Sequence, residues 1–184
     1  MGRLQGAGRN PRGFNVIEMA IVVSIFLIVA GIAIPGIVGG VQRTGVDGAS
    51  RRIAEDIRLA QSNAITRGLQ ARLLIFDQNG VAQVAGGTNI TDTTKANLYR
   101  IETRTSATAS WPALADTPGS NTNVVTAWNN LRSGYGGVNV TTSNVLVFRT
   151  LGNLDATSAL DIVLQGSGGT KTVRTSVIGK ATIL

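Results

Sequence analysis

Seven residues near the C-terminus, Gly166-Ser167-Gly168-Gly169-Thr170-Lys171-Thr172, carry the residue types from which a phosphate-binding loop is made. Their order is wrong for that chemistry, which needs Gly-Lys followed by Ser or Thr, after a strand and before a helix. Here Lys171 follows Thr170 and strand-like runs lie on both sides, so the pattern predicts a flexible hairpin connection. Glu55-Asp56 is an adjacent acid pair, but helix neighbours one apart do not share a face; the pair is expected on a solvated surface. Asp155 and Asp161 lack the spacing of a calcium loop. The 184 residues include no histidine and no cysteine. That removes the commonest general base and metal ligand, thiolate chemistry and disulfides. No base is identifiable beside any serine or lysine. No catalytic residue, cofactor or metal is expected, and a structural or binding role is.

Charge offers a second kind of chemistry. The formal net charge is +7, a balance that suits nucleic acid but also plain solubility. Arg3, Arg9 and Arg12 fall within the first thirteen residues, which hold no acid. Beyond them fourteen cations face ten acids, a surplus of +4. Aromatic residues make up only 4% of the chain, too few for a platform that stacks single-stranded bases. The tail TVRTSVIGKATIL contributes two cations, Arg174 and Lys180, as candidate DNA contacts; two charges make a weak electrostatic footprint.

The elements that position these groups divide the chain sharply. Residues 1–13 are basic and glycine-rich. Residues 14–41 are apolar, with Glu18 as their one charge, and from Met19 to Val41 no charge occurs. Such a run exceeds the ~20 residues that cross a bilayer as a helix. Arginines before it, and no small-residue cleavage pattern after it, argue against an ordinary secretory signal. The arginine side is expected to stay cytoplasmic, with the C-terminal part outside. Glu18 then has two readings. It sits at headgroup level, or, if the chain is cut after Gly13, it partners the new amine of Phe14 on a neighbouring subunit. Pro35 removes an amide donor inside the run and predicts a kink. Gly31, Gly36, Gly39, Gly40, Gly45 and Gly48 surround it and weaken the helix further.

Gly13-Phe14, Glu18 and Pro35 ahead of and within an apolar run resemble the class III leader of type IV pilins and type II secretion pseudopilins. The resemblance implies that a prepilin peptidase cuts after Gly13 on the cytoplasmic face and N-methylates Phe14. It implies roles for Glu18 and Pro35 in assembly, and unwinding near Pro35 in filaments. Asn15 departs from the usual Thr or Ser.

Residues 42–68 resume helical periodicity, with Val46, Ala49, Ile53, Ile57, Ala60 and Ala64 on one face and Gly68 as C-cap. The remainder, 69–184, reads as strands. Gln70–Phe76 is followed by an Asn79-Gly80 turn and a return over Val81–Ala85. Leu98–Thr105 alternates apolar and polar residues. Residues 106–137 form a long irregular insertion with Trp111 and Trp128. Asn144–Arg149, Leu160–Leu164, Thr172–Val177 and Ala181–Leu184 complete the set, with Gln165–Lys171 as a hairpin connection. A helix followed by antiparallel strands is an α+β arrangement, the helix laid on one sheet face.

Leu59–Gly68 resembles the helix-ending signature of the GspH/FimT family, and Phe148, Gly152, the LDIVLQ strand and TVRTSVIGKATI resemble its closing strands. Residues 86–142 are unmatched, Asn63 stands for the usual Glu, and Lys180 for the usual Arg. The resemblance implies a pilin-like fold and a minor pseudopilin or pilin, without the disulfide loop of many major pilins. Its leader would be 1–13, its membrane and assembly helix 14–41, its amphipathic helix half 42–68 and its periplasmic domain 69–184. The partners implied are other pilin subunits, the prepilin peptidase, the inner-membrane assembly platform of a bacterium and membrane lipid. The alternative is a FimT-like minor pilin that binds DNA for uptake through its tail.

Overall fold

A computed structural model describes residues 15–184, the side chains of 32–43 excepted. Gly13 and Phe14, the leader 1–13 and the side chain of Pro35 lie outside the described residues. The chain divides into two compact units, Met1–Val38 and Gly39–Leu184. Helix α1 is assigned to Val16–Arg67 and contributes to both.

In the first unit the helix starts at Asn15. Its carbonyl accepts from the Glu18 and Met19 amides at 2.9 and 3.2 Å, and its side chain accepts from the Ile17 amide at 3.3 Å. An Asn side chain here satisfies amides that lack a partner one turn back. Glu18 sits in the first turn, where a carboxylate complements the positive end of the helix dipole. Among the described residues no helix is long and apolar enough to cross a membrane. The predicted span, 14–41, runs into residues outside the description.

The second unit is α+β, with antiparallel sheets. Strands β1 (Gln70–Ile75), β4 (Leu98–Arg104), β5 (Asn129–Asn130) and β7 (Leu146–Phe148) form one sheet in the order β5-β4-β1-β7. Strands β6 (Asn139–Thr142), β8 (Leu160–Gly166), β9 (Gly169–Thr175) and β10 (Ala181–Ile183) form a second in the order β10-β9-β8-β6. A small pair joins β2 (Val81–Ala82) to β3 (Ile90–Thr91). A short helix, α2, covers Leu131–Gly134.

The predicted helix face is the one buried. Ala49, Ile53, Ile57, Ala60 and Ala64 are wholly buried, and share a core with Leu73, Ile75, Ile101 and Phe148 of the first sheet and Ile162, Leu164 and Val173 of the second. Steps of three and four place those side chains on one stripe. Burying an isoleucine such as Ile57 contributes ~1.5–3 kcal/mol. Gly68 ends the helix with φ 64°, a conformation only glycine adopts without strain.

Four strand expectations need correction. The Asn79-Gly80 turn forms, with the Asp77 amide donating to the Val81 carbonyl at 2.9 Å, but Val81–Ala82 pairs with β3 while β1 pairs with β4 and β7. Turn chemistry is local, whereas the free edges of β1 are taken by longer partners. Strand β6 was hidden inside the polar run Asn139–Thr142, because only Val140 is buried there. The β8–β9 connection is a tight turn at Ser167-Gly168, since pairing continues to Gly166 opposite Gly169. Finally, β4 is buried on both faces, although its alternation suggested one wet face. The segment after it lies over that second face through the carbonyls of Ala113 and Asp116, and the insertion expected at 106–137 is not irregular throughout, since it holds β5 and α2.

Gly45 and Gly48 also serve differently from the expectation that they loosen the helix. A Cβ at Gly45 would lie 2.6 Å from the Tyr135 carbonyl oxygen, and one at Gly48 would lie 3.3 Å from the Tyr135 ring. These glycines let the chain after α2 approach the helix backbone.

Candidate functional site

The residues expected to act in assembly begin at the helix N-terminus. From Val16 to Val29 the large apolar side chains are exposed around the whole circumference of α1, Val22 by 52% and Val16 by 82%. Glu18 is exposed beside them. Ser24 donates to the Ala20 carbonyl at 2.7 Å, so a polar side chain in this stretch is satisfied within the helix itself. A helix apolar on every side needs an apolar surround.

The tail cations sit differently. Arg174, on β9, donates to Asp161 on β8 through Nε and a terminal nitrogen, both at 2.8 Å. The two residues are cross-strand partners. The hydrogen bond from Arg174 holds the Asp161 carboxyl below its ordinary value. Lys180 lies outside β10, exposed, its amide donating to Ser176 Oγ at 3.1 Å. Other arginines on the strands could have joined them only if folding brought them to the tail, and they are already engaged elsewhere. Arg149 is paired with Asp155 at 2.5 Å, while Arg72, Arg100 and Arg104 lie on the first sheet.

Those three arginines form a site of another kind, which sequence reasoning missed. Arg72 and Glu102 are cross-strand partners. Arg72 Nε donates to one carboxylate oxygen at 2.6 Å and Arg100 Nε to the other at 2.5 Å. Arg100 and Glu102 are wholly buried. Burial pulls the Arg72 guanidinium below its ordinary value, against the attraction of Glu102. Arg100 also donates to the carbonyls of Ala113 and Asp116 at 2.8 and 2.7 Å. The guanidiniums of Arg72 and Arg104 each lie 4.4 Å from the ring centre of Trp111, and that of Arg100 lies 4.3 Å from the ring centre of Trp128. Such stacks are worth ~0.5–2 kcal/mol each. The segment after β4 is thus fastened to the sheet by guanidinium groups. Both tryptophans follow the strand arginines at no fixed spacing, and no local signal points to the pairing.

Family models, curated proteins and solved structures yield no match to this chain. The site must therefore be read from its own chemistry.

Asp56 corrects the expectation of a solvated acid pair. Glu55 is exposed, but Asp56 is buried. Its Oδ2 accepts from Tyr99 Oη at 2.7 Å and from Arg52 Nε at 3.0 Å. Burial, and then the bond to Asp56, push the Tyr99 phenol above its ordinary value. The helix neighbours do face apart, as their spacing requires; what the spacing hides is that one of the two faces the sheet. This carboxylate fixes α1 against β4.

Proposed function

We propose that this chain is a pilin-like filament subunit, a minor pseudopilin or minor pilin, with a scaffolding rather than a catalytic role. The observation that carries the reading is the fully exposed apolar helix Val16–Val29, which bears Glu18 in its first turn. Lipid covers such a surface before assembly and neighbouring helices cover it afterwards. Glu18 then partners the amine created at Phe14 by cleavage after Gly13, each charge offsetting the desolvation of the other. The unit 39–184 is the domain displayed outside the inner membrane, and Pro35 lies in the assembly helix.

The decisive experiment is expression in a bacterium with an active prepilin peptidase. Intact-mass measurement of the membrane-extracted protein is expected to show loss of residues 1–13 and gain of one methyl group. A chain that still begins at Met1 there contradicts the reading. Glu18→Ala is expected to be inserted and cleaved normally, yet to enter filaments poorly in competition with wild type. The DNA-uptake alternative finds less support, because Arg174 is neutralised by Asp161, which leaves Lys180 as the one tail cation outside the ion pairs among the described residues.

A further inference from the structure

Strand β10 is the outermost strand of its sheet. An antiparallel ladder alternates between residues that exchange hydrogen bonds and residues that do not. Leu184 and Thr172 exchange both, at 2.8 and 3.2 Å, and the Ser176 amide donates to the Lys180 carbonyl at 3.0 Å. Thr182, opposite Arg174, falls between them. Residues 180, 182 and 184 therefore turn their backbone groups toward β9. By the same alternation Ala181 and Ile183 turn theirs away from it, to the side where no further strand is paired among the described residues.

A groove of about 360 Å³ lies at that edge, lined by Arg58 and Gln61 of α1 and by Ile178, Gly179, Lys180 and Ala181. Its apolar contribution includes Ile178, 73% exposed. Its two cations, Arg58 and Lys180, are exposed and take part in none of the ion pairs among the described residues. A lysine beside an open edge normally repels unwanted strands. Here a second cation across the groove makes the repulsion selective by charge. It disfavours the basic leader with Arg3, Arg9 and Arg12, and it disfavours further copies of a chain with a surplus of +4. An acidic strand meets the opposite field.

We propose that the outer edge of β10 accepts an extended acidic segment of a partner protein as a fifth strand. The backbone groups of Ala181 and Ile183 supply the ladder, and Arg58 and Lys180 select for carboxylates on the added strand. This site lies wholly within the unit 39–184 and does not rest on the filament reading, which stands on the helix Val16–Val29; either can fail alone.

The test uses the full chain in a non-ionic detergent and two fluorescein-labelled seven-residue peptides, one alternating valine with glutamate, the other valine with lysine. Fluorescence anisotropy is expected to show the glutamate peptide binding at least tenfold more tightly. Ile183→Pro removes an amide that the β9–β10 ladder does not use, a substitution that edge strands tolerate. It is expected to weaken the glutamate peptide at least tenfold while leaving the denaturation midpoint unchanged. The double variant Arg58→Glu with Lys180→Glu, at two exposed positions, is expected to reverse the preference. Binding of neither peptide, equal binding of both, or an unreversed preference in the double variant overturns the proposal. Sedimentation showing self-association of the wild type that Ile183→Pro abolishes would assign the edge to a second copy and overturn it as well.

Discussion

The Tyr99 hydroxyl donates to the Asp56 carboxylate at 2.7 Å, joining the C-terminal part of α1 to β4 across 43 residues of sequence. A buried carboxylate that loses a donor keeps its desolvation cost without the compensation. Tyr99→Phe is expected to lower the free energy of unfolding by ~1.5–3 kcal/mol, the usual worth of a hydrogen bond to a charged group. Urea denaturation at neutral pH measures it.

The same pair sets a pH dependence. The Tyr99 phenol is raised above its ordinary 10.0 in the folded chain. The folded state therefore holds this proton more tightly than the unfolded state. The resulting stabilisation is complete below pH ~10 and is lost as pH rises from there toward the folded value. Denaturation midpoints are expected to fall more steeply above pH ~10 in wild type than in Tyr99→Phe, which lacks the titrating group. Parallel curves would remove Tyr99 from the explanation.

Glu102 pairs with two arginines at once. Glu102→Gln leaves both guanidiniums buried without a countercharge, a loss expected at ~3–5 kcal/mol. Because Trp111 and Trp128 stack on Arg72, Arg100 and Arg104, tryptophan emission is expected to shift to the red in the variant before the helix signal is lost. Circular dichroism and fluorescence followed through one denaturation series test both statements.

Gly45→Ala reverses the usual sign of a helix substitution. Alanine ordinarily gains up to ~1 kcal/mol over glycine within a helix. At this position the new Cβ meets the Tyr135 carbonyl oxygen at 2.6 Å, and overpacking of that kind costs ~1–3 kcal/mol. Net destabilisation is expected, read as a lower thermal midpoint.

Asp161 restrains Arg174, so Asp161→Asn is expected to release a cation. Titration of duplex DNA with the full chain at several salt concentrations is expected to steepen the log–log slope by ~0.9 in this variant, the increment for one added phosphate contact. Arg174→Gln is expected to change little in wild type and to cancel the increment in Asp161→Asn. An unchanged slope in Asp161→Asn would place Arg174 out of reach of the backbone phosphates.

The sequence by itself determined what depends on neighbours along the chain. The stripe Val46, Ala49, Ile53, Ile57, Ala60 and Ala64 follows from helical periodicity, and the end at Gly68 from a backbone angle that glycine alone adopts freely. The Asn79-Gly80 turn, the β8–β9 hairpin and the final strand are local as well. Tertiary structure decided where polar residues went. Asp56 reads as solvated because periodicity counts a charge as outward; Tyr99, brought from β4, joins Arg52 of the same helix to make its burial tolerable. Arg100 and Glu102 read as the wet face of an alternating strand, yet a segment with no periodicity of its own covers them. A buried charge is stable only when its counter-charge and donors converge on it, and here those partners come from β1 and from the carbonyls of Ala113 and Asp116. No spacing along one segment encodes that convergence. The same reason explains the tail: Arg174 is one cation in the sequence and half of a neutral pair in the fold, because strand register sets it opposite Asp161.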